Sequence, residues 1–298
     1  MEDPQKYLDP LILAKVRSLE LQARLVVEGY LSGMHKSPYH GFSVEFAEHR
    51  EYVPGDDIKH VDWKVYGRTE RFYLKQYEEE TNLICWLLLD VSESMGYGSG
   101  QVTKYDYACF MAAALSYLIL HQQDSVGLIT FDDQPRKFLK PSSQPSQLKE
   151  IVKIMNAGLG REKTQLAPIF HELAERIGRR AIVVILSDLF DDVEPLLAGI
   201  KHLRHKRHEV VVFHVLDAAE VDFPFQEATL FRGLEQWGEL LTDPRSLRQG
   251  YLEELNTFQS ELQRGCREQN IDYLPLRTDM NLGVALSAYL GNRLARTK

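Results

Sequence analysis

The sequence predicts an α/β protein: a doubly wound, mostly parallel sheet of Rossmann type with an N-terminal helical and extended arm. Three observations predict it. From Leu83 onward, unbroken apolar runs alternate with stretches of helical length. Strands buried on both faces of a parallel sheet read as such continuous runs, and the helices between them are the crossovers. Residues before Leu83 lack this rhythm and are polar and turn-rich after one initial helix.

The elements follow in order. Asp9 can cap a helix over 9–34, and Pro10 suits its first turn. Leu8 and Leu13 can form a hydrophobic staple. Leu8, Ile12, Val16, Leu19, Ala23, Val26 and Tyr30 recur in steps of four and three, so they share a face. That face either packs on the chain's own domain or receives a partner helix. Residues 35–82 contain the turn Pro54-Gly55-Asp56, and 72–77 alternate weakly as an edge strand does. Glu78 to Glu80 read as a solvated acidic run. Leu83–Leu89 is the first buried strand, followed by a buried helix at 103–122. Val126–Phe131 is the second strand, and 136–140 a short edge strand. Helices follow near 145–156 and 165–178. Ala181–Leu186 is a strand, 192–206 a helix, and Glu209–Val215 a strand. Residues 228–242 break the rhythm as an inserted hairpin around a Gly-containing turn. A helix after Asp243-Pro244 carries Leu247, Tyr251, Leu255, Phe258, Leu262 and Cys266 on one face. Asp272–Leu276 is the last strand, and 281–290 a short helix. The division is therefore an arm over 1–80, packed on or next to the main domain, and a main domain over 81–298.

Composition excludes several classes. The 298 residues carry 35 Lys+Arg against 43 Asp+Glu, a formal charge of −8. An acidic balance lacks the electrostatic footprint of a nucleic-acid binder. The three cysteines are an odd number, which argues against a secreted disulfide framework. Residues 1–7 offer neither a basic start nor an apolar core, so no secretory signal is expected. The most apolar window, 107–120, is too short for a membrane span. A cytoplasmic protein is the expectation.

In an open α/β sheet, ligands bind beyond the carboxyl ends of the strands. Asp90-Val-Ser-Glu-Ser94 follows the first strand, Ser187-Asp188 follows the strand ending at Leu186, and Thr164 lies where a helix opens. Asp90, Ser92, Ser94, Thr164 and Asp188 are hard oxygen donors brought to one edge. Such donors favour Mg2+, with Mn2+ or Ca2+ as alternatives, over zinc. Ser and Asp after a strand also cap helices, the plainer role for the same residues. With two carboxylates the ion stays electron-poor, so an anionic oxygen from outside completes its shell.

The set Asp90-x-Ser92-x-Ser94, Thr164 and Asp188 resembles the metal-ion-dependent adhesion site of von Willebrand factor A domains. That resemblance covers about 81–291. It implies a protein partner that donates an Asp or Glu to the ion, with Glu93 an unusually bulky, charged residue at the rim. A second resemblance covers about 38–295. Gly55-Asp-Asp-Ile-Lys-His-Val-Asp62-Trp63, Gly67-Arg68-Thr69, Lys75-Gln-Tyr-Glu-Glu-Glu80, Leu89 to Met95 and the late stretch from Leu240–Leu247 through Tyr289-Leu290 look like the bacterial family called domain of unknown function 58. It implies work with a MoxR-type AAA+ ATPase in protein maturation or remodelling.

The rivals are weaker. A haloacid-dehalogenase-type phosphatase needs a second Asp where Ser92 stands. Gly96, Gly98 and Gly100 do not complete a dinucleotide fingerprint, and read as a flexible loop. No Walker A or Gly-x-Ser-x-Gly motif is present. The basic run Lys201 to His208 ends a helix, where cations are favoured, so it reads as a solvated cap rather than a metal or nucleic-acid site. Trp63 and Arg68 either form a partner-binding hot spot or seal the arm onto the domain. The sequence therefore predicts a non-enzymatic, metal-dependent interaction module. A metal-dependent phosphate-ester hydrolase is the alternative.

Overall fold

The structure, a computed structural model, describes residues 83–160, 166–233 and 238–286, and before these 11, 18, 21, 27, 49–51, 66–67 and 72–75. The chain divides into two compact units, Met1–Lys36 with Leu83–Lys298, and Ser37–Asn82. In the smaller unit, β1 (His49–Glu51) pairs antiparallel with β2 (Tyr73–Lys75). There the rings of Tyr66 and Phe72 stack at 4.4 Å.

The larger unit is built on six strands. They are β3 (Ile84–Asp90), β4 (Ser125–Phe131), β5 (Pro135–Ser142), β6 (Ile182–Ser187), β7 (Glu209–Leu216) and β10 (Asp272–Arg277). The sheet order is β10-β7-β6-β3-β4-β5. All pairs are parallel except β4 with β5, which places Pro135 and Pro141 on an edge strand, where a missing N–H costs no ladder bond. The remaining strands, β8 (Thr229–Arg232) and β9 (Glu239–Thr242), form the separate hairpin expected near 228–242.

Its helices include α1 (Lys104–His121), α2 (Gln147–Met155), α3 (Leu166–Arg176), α4 (Val193–His205), α5 (Ala218–Asp222) and α6 (Pro244–Glu268). Because side chains alternate across a strand, β3 feeds two cores. Cys85, Leu87 and Leu89 join the core that holds most of α1. Trp86 and Leu88 join the core of α3, α4 and the C-terminal half of α6. Leu87 and Leu88 are both 0% exposed, and truncating either to Ala costs about 2–5 kcal/mol.

Helix α1 is apolar around most of its circumference, which suits a helix covered on several sides. Ala112, Ala113 and Ala114 let its backbone come close to its neighbours. Val27, a helical residue upstream, is 2% exposed and shares this core, one position away from the expected stripe residue Val26. The start of α1 is fixed by a capping box: Thr103 Oγ1 accepts from Asp106 N, and Asp106 Oδ2 accepts from Thr103 N, each at 3.0 Å.

Several local expectations are corrected. The apolar stripe of α6 is buried only from Leu255 on, while Leu247 is 41% exposed. Its first turns run beside α5, where the Tyr251 ring lies tilted against Phe223, centroids 4.8 Å apart. The glycine-containing loop after β3 is tied down rather than loose. Lys104 N donates to Tyr97 O, and Ser99 N to Asp217 Oδ2. The basic run 201–208 is not uniformly solvated. Lys206 pairs with Glu175 at 2.8 Å, but His208 is buried, because the chain turns at Arg207 (φ 67°) into β7.

Candidate functional site

Sheet order places the site. From β3 the chain goes through α1 to β4 on one side, and returns through α2 and α3 to β6 on the other. The carboxyl ends of β3 and β6 therefore flank the switch point, where open α/β sheets bind ligands. Asp90 ends β3. In register, Leu89 pairs with Leu186, so Ser187 at the end of β6 stands beside Asp90, and Asp188 follows.

Asp90 is 1% exposed. Its Oδ1 accepts from Ser92 N at 2.9 Å, and its Oδ2 from the Ser187 hydroxyl at 2.5 Å. Each carboxylate oxygen keeps a further lone pair for an ion. Ser92 and Ser94 lie 3.0 Å apart, Oγ to Oγ, across the 3-10 turn Glu93–Gly96. Glu93 is partly exposed on that turn. Burial, and then the charge of Asp188, push the Asp90 carboxyl up to about 7, against hydrogen bonds from Ser187 and Ser92 that lower it. Burial beside a second carboxylate makes the charged form of Asp90 costly.

Asp188 is 2% exposed. Its Oδ2 accepts from Lys104 Nζ at 2.7 Å, and its Oδ1 sits 3.5 Å from Phe190 N. The next residue, Leu189, is buried with φ 55°. A non-glycine residue in that region costs about 1–3 kcal/mol. The strain is held by the Leu189 N–H bond to Ser187 Oγ at 2.9 Å and by the buried leucine side chain. It turns Asp188 toward β3 and leaves Phe190 at the rim, 43% exposed. Leu166, the first residue of α3, donates its N–H to Asp191 Oδ2 at 2.7 Å, so α3 starts from the same loop.

The sequence reading missed Lys104 and Glu220. Lys104 Nζ donates to Glu220 Oε1 at 2.7 Å as well as to Asp188, and the lysine side chain is 1% exposed. The ammonium lies 4.8 Å from the centre of the Phe190 ring, within cation–π range. Burial opposes its charge, but Asp188 and Glu220 outweigh burial and raise its pKa. Burial holds Glu220 above the usual carboxylate range despite the ammonium beside it. The capping box that makes Lys104 the first residue of an apolar helix was the available signal. So was Asp217-x-x-Glu220, which caps α5 in the same way.

Of the five predicted ligands, Asp90, Ser92, Ser94 and Asp188 come together at one edge. Thr164 lies outside the described residues, as do Trp63 and Arg68. Among the described residues no group of three or more His, Cys, Asp or Glu side chains is placed to hold a metal ion. An ion here would depend on two carboxylates, serine hydroxyls and water. That donor set suits a hard divalent cation that keeps part of its hydration shell. No described helix is long and apolar enough to cross a membrane.

A family profile described as "Protein of unknown function DUF58" matches residues 48–260. Uncharacterised proteins of Mycobacterium tuberculosis and Mycobacterium bovis are each 28% identical over 294 residues, covering 96% of this chain and 90% of theirs. Among solved structures, BatB of Bacteroides thetaiotaomicron has a TM-score of 0.45 at 17% identity, covering 70% of this chain and 98% of that one. An aerotolerance-related membrane protein of Bacteroides fragilis has a TM-score of 0.47 at 17% identity, covering 69% and 96%.

Proposed function

The chain belongs to the DUF58 family of proteins of unknown function, and we propose that it is a non-enzymatic, metal-dependent protein-interaction module. One observation carries the reading. Two buried carboxylates, Asp90 and Asp188, flank the switch point of the sheet, with the Ser92 and Ser94 hydroxyls beside them. Asp90, Ser92, Ser94, Thr164 and Asp188 are the proposed ligands of Mg2+, with Mn2+ or Ca2+ as substitutes. When bound, the ion supplies an electrophilic coordination position for a partner's oxygen. The chain's own residues orient that position. Ser187 and Ser92 fix Asp90, and the strained turn at Leu189 fixes Asp188.

The partner is a protein that offers an Asp or Glu. Two carboxylates do not saturate a divalent ion's demand for charge, and a third from outside does. Phe190 and Leu159, 43% and 38% exposed, give the partner apolar contacts near the site. Glu93 and, from the arm, Trp63 and Arg68 are the further proposed contacts. On family resemblance, a MoxR-type AAA+ ATPase in the cytoplasm is the first partner to test. Ser92, which bonds to Ser94, stands where a haloacid-dehalogenase-type phosphatase needs its acid; the metal-dependent phosphate-ester hydrolase remains the alternative, and single-turnover phosphatase assays with Mg2+ separate it from the interaction module.

Calorimetric titration of Mn2+ into the chain and into Asp90→Ala tests the ion. Asp90 is 1% exposed and accepts from Ser187 and Ser92, so Asp90→Asn, which removes the charge at nearly constant shape, is titrated beside the alanine variant. Saturable binding lost in the variants supports the site; equal binding in all refutes it.

A further inference from the structure

We propose that Lys104, steered by Glu220, sets the metal affinity of the site, by placing a permanent positive charge on one of the two carboxylates an ion would use. The inference rests on the metal reading above and adds a positioning residue to it.

The geometry is specific. Lys104 Nζ lies 2.7 Å from Asp188 Oδ2 and 2.7 Å from Glu220 Oε1. Its stem cannot swing away, because the Thr103 capping box makes it the first residue of α1 and the side chain is 1% exposed. Glu220 is held as well. Its Oε2 accepts from Asp217 N at 2.7 Å, and Asp217 in turn accepts from Ala219 N, Ser99 N and Thr278 Oγ1. The ammonium is therefore a fixed charge shared between two carboxylates, one of them a proposed metal ligand. The formal charges of Asp90, Asp188, Glu220 and Lys104 leave the cluster negative, so a divalent ion is still attracted. It would meet an Asp188 already half engaged, and be repelled by the ammonium bound to that carboxylate.

Two consequences have opposite signs. Removing the lysine charge frees Asp188 and lifts the repulsion, so the ion binds more tightly. Neutralising Glu220 leaves Asp188 as the lysine's one remaining carboxylate partner of the pair, so the ion binds more weakly. An ion pair with no bearing on the ion costs stability when broken but leaves Mn2+ affinity unchanged in every variant that folds. The lysine also couples ion to partner. A partner's carboxylate adds the negative charge that the shared Asp188 withholds, so ion and partner each strengthen the other's binding.

The test is Mn2+ affinity, followed by calorimetry and by the loss of free Mn2+ paramagnetic resonance signal. Lys104→Met should tighten binding by about tenfold or more, and Glu220→Gln should weaken it by about threefold or more. Lys104→Arg keeps the charge and should stay close to the unaltered chain. Where Lys104→Met does not fold, Lys104→Met with Glu220→Gln removes both charges at nearly constant shape, and it too should tighten binding. Binding by Lys104→Met alone, with none by the unaltered chain, supports the role of the lysine but overturns the metal reading of the unaltered chain. Affinity unchanged or reduced in both lysine-to-methionine variants overturns it while leaving the metal reading intact. No binding by any variant overturns both.

Discussion

Ser187 donates its hydroxyl to Asp90 Oδ2 at 2.5 Å across the seam between β6 and β3, joining residues 97 apart in sequence. The same Oγ accepts from Leu189 N at 2.9 Å. One hydroxyl thus fixes a proposed ligand on β3 and the backbone turn that aims the other proposed ligand, Asp188. The sheet register, not a local motif, makes this possible, because Leu89 opposite Leu186 brings the two strand ends level.

Ser187→Ala should cost about 1–3 kcal/mol in urea denaturation, since it leaves a buried carboxylate oxygen and the Leu189 N–H without this partner. The strained turn should relax, and Mn2+ affinity should fall with it. A stable variant of unchanged affinity would show that the hydroxyl does not organise the site.

Asp90→Asn should stabilise the metal-free chain. Burial and the neighbouring Asp188 hold the Asp90 carboxyl at about 7 rather than 3.8. The folded state therefore favours the neutral form, and the charged form costs stability in full above pH 7. At pH 8 in EDTA the variant should melt higher than the unaltered chain, by about 1 kcal/mol or more in stability. Added Mg2+ should raise the melting temperature of the unaltered chain only. Thermal melts in EDTA and in Mg2+ check both halves.

Gly98→Ala should destabilise the loop before α1. A Cβ there would meet Val102 O at 2.8 Å and Thr103 Cα at 2.9 Å, both backbone atoms that cannot rotate away. The expected cost is about 1–3 kcal/mol. Because Thr103 caps α1, the displacement reaches Lys104. Hydrogen exchange should show lower protection over 97–105 while β7 is unaffected.

His208 is 1% exposed, and its ring nitrogens make no hydrogen bond of good geometry among the described residues, the backbone of Ile177 being the polar group that acts on the ring. Burial holds its pKa below the usual 6.5. The folded state thus favours the neutral ring. That contribution is fully present above pH 6.5 and is lost as pH falls through and below it. His208→Leu should reduce the stability lost between pH 7.5 and pH 5.5. Denaturant midpoints at the two values measure it, and an identical loss in both chains would show that His208 does not titrate on unfolding.

The sheet was legible because buried parallel strands write themselves as uninterrupted apolar runs. Each of the runs from Leu83, Val126, Ala181 and Glu209 lies within a residue or so of its strand. The acidic and hydroxyl residues after two of those strands were legible for the same reason, since strand ends locate the ligand edge. What was not legible depends on distance or brevity. The 3-10 turn Glu93–Gly96 and the five-residue α5 are too short to show a period. Lys104 looked like an ordinary charged residue at a helix start, because its partners Asp188 and Glu220 lie 84 and 116 residues away. Nothing local distinguishes a lysine destined for two buried carboxylates from one destined for water. The left-handed Leu189 is equally silent, as leucine carries no preference for that backbone region.

The central claim is that the ion at Asp90 and Asp188 captures a partner's carboxylate. Size-exclusion chromatography of the chain with a MoxR-type ATPase, in Mg2+ and then in EDTA, tests it most directly, with Asp90→Ala and Thr164→Ala alongside. The account predicts a complex in Mg2+ that dissociates in EDTA, is absent with Asp90→Ala and is weakened with Thr164→Ala. A complex of equal stability in EDTA, or one that survives both substitutions, would contradict it and place the contact elsewhere on the chain.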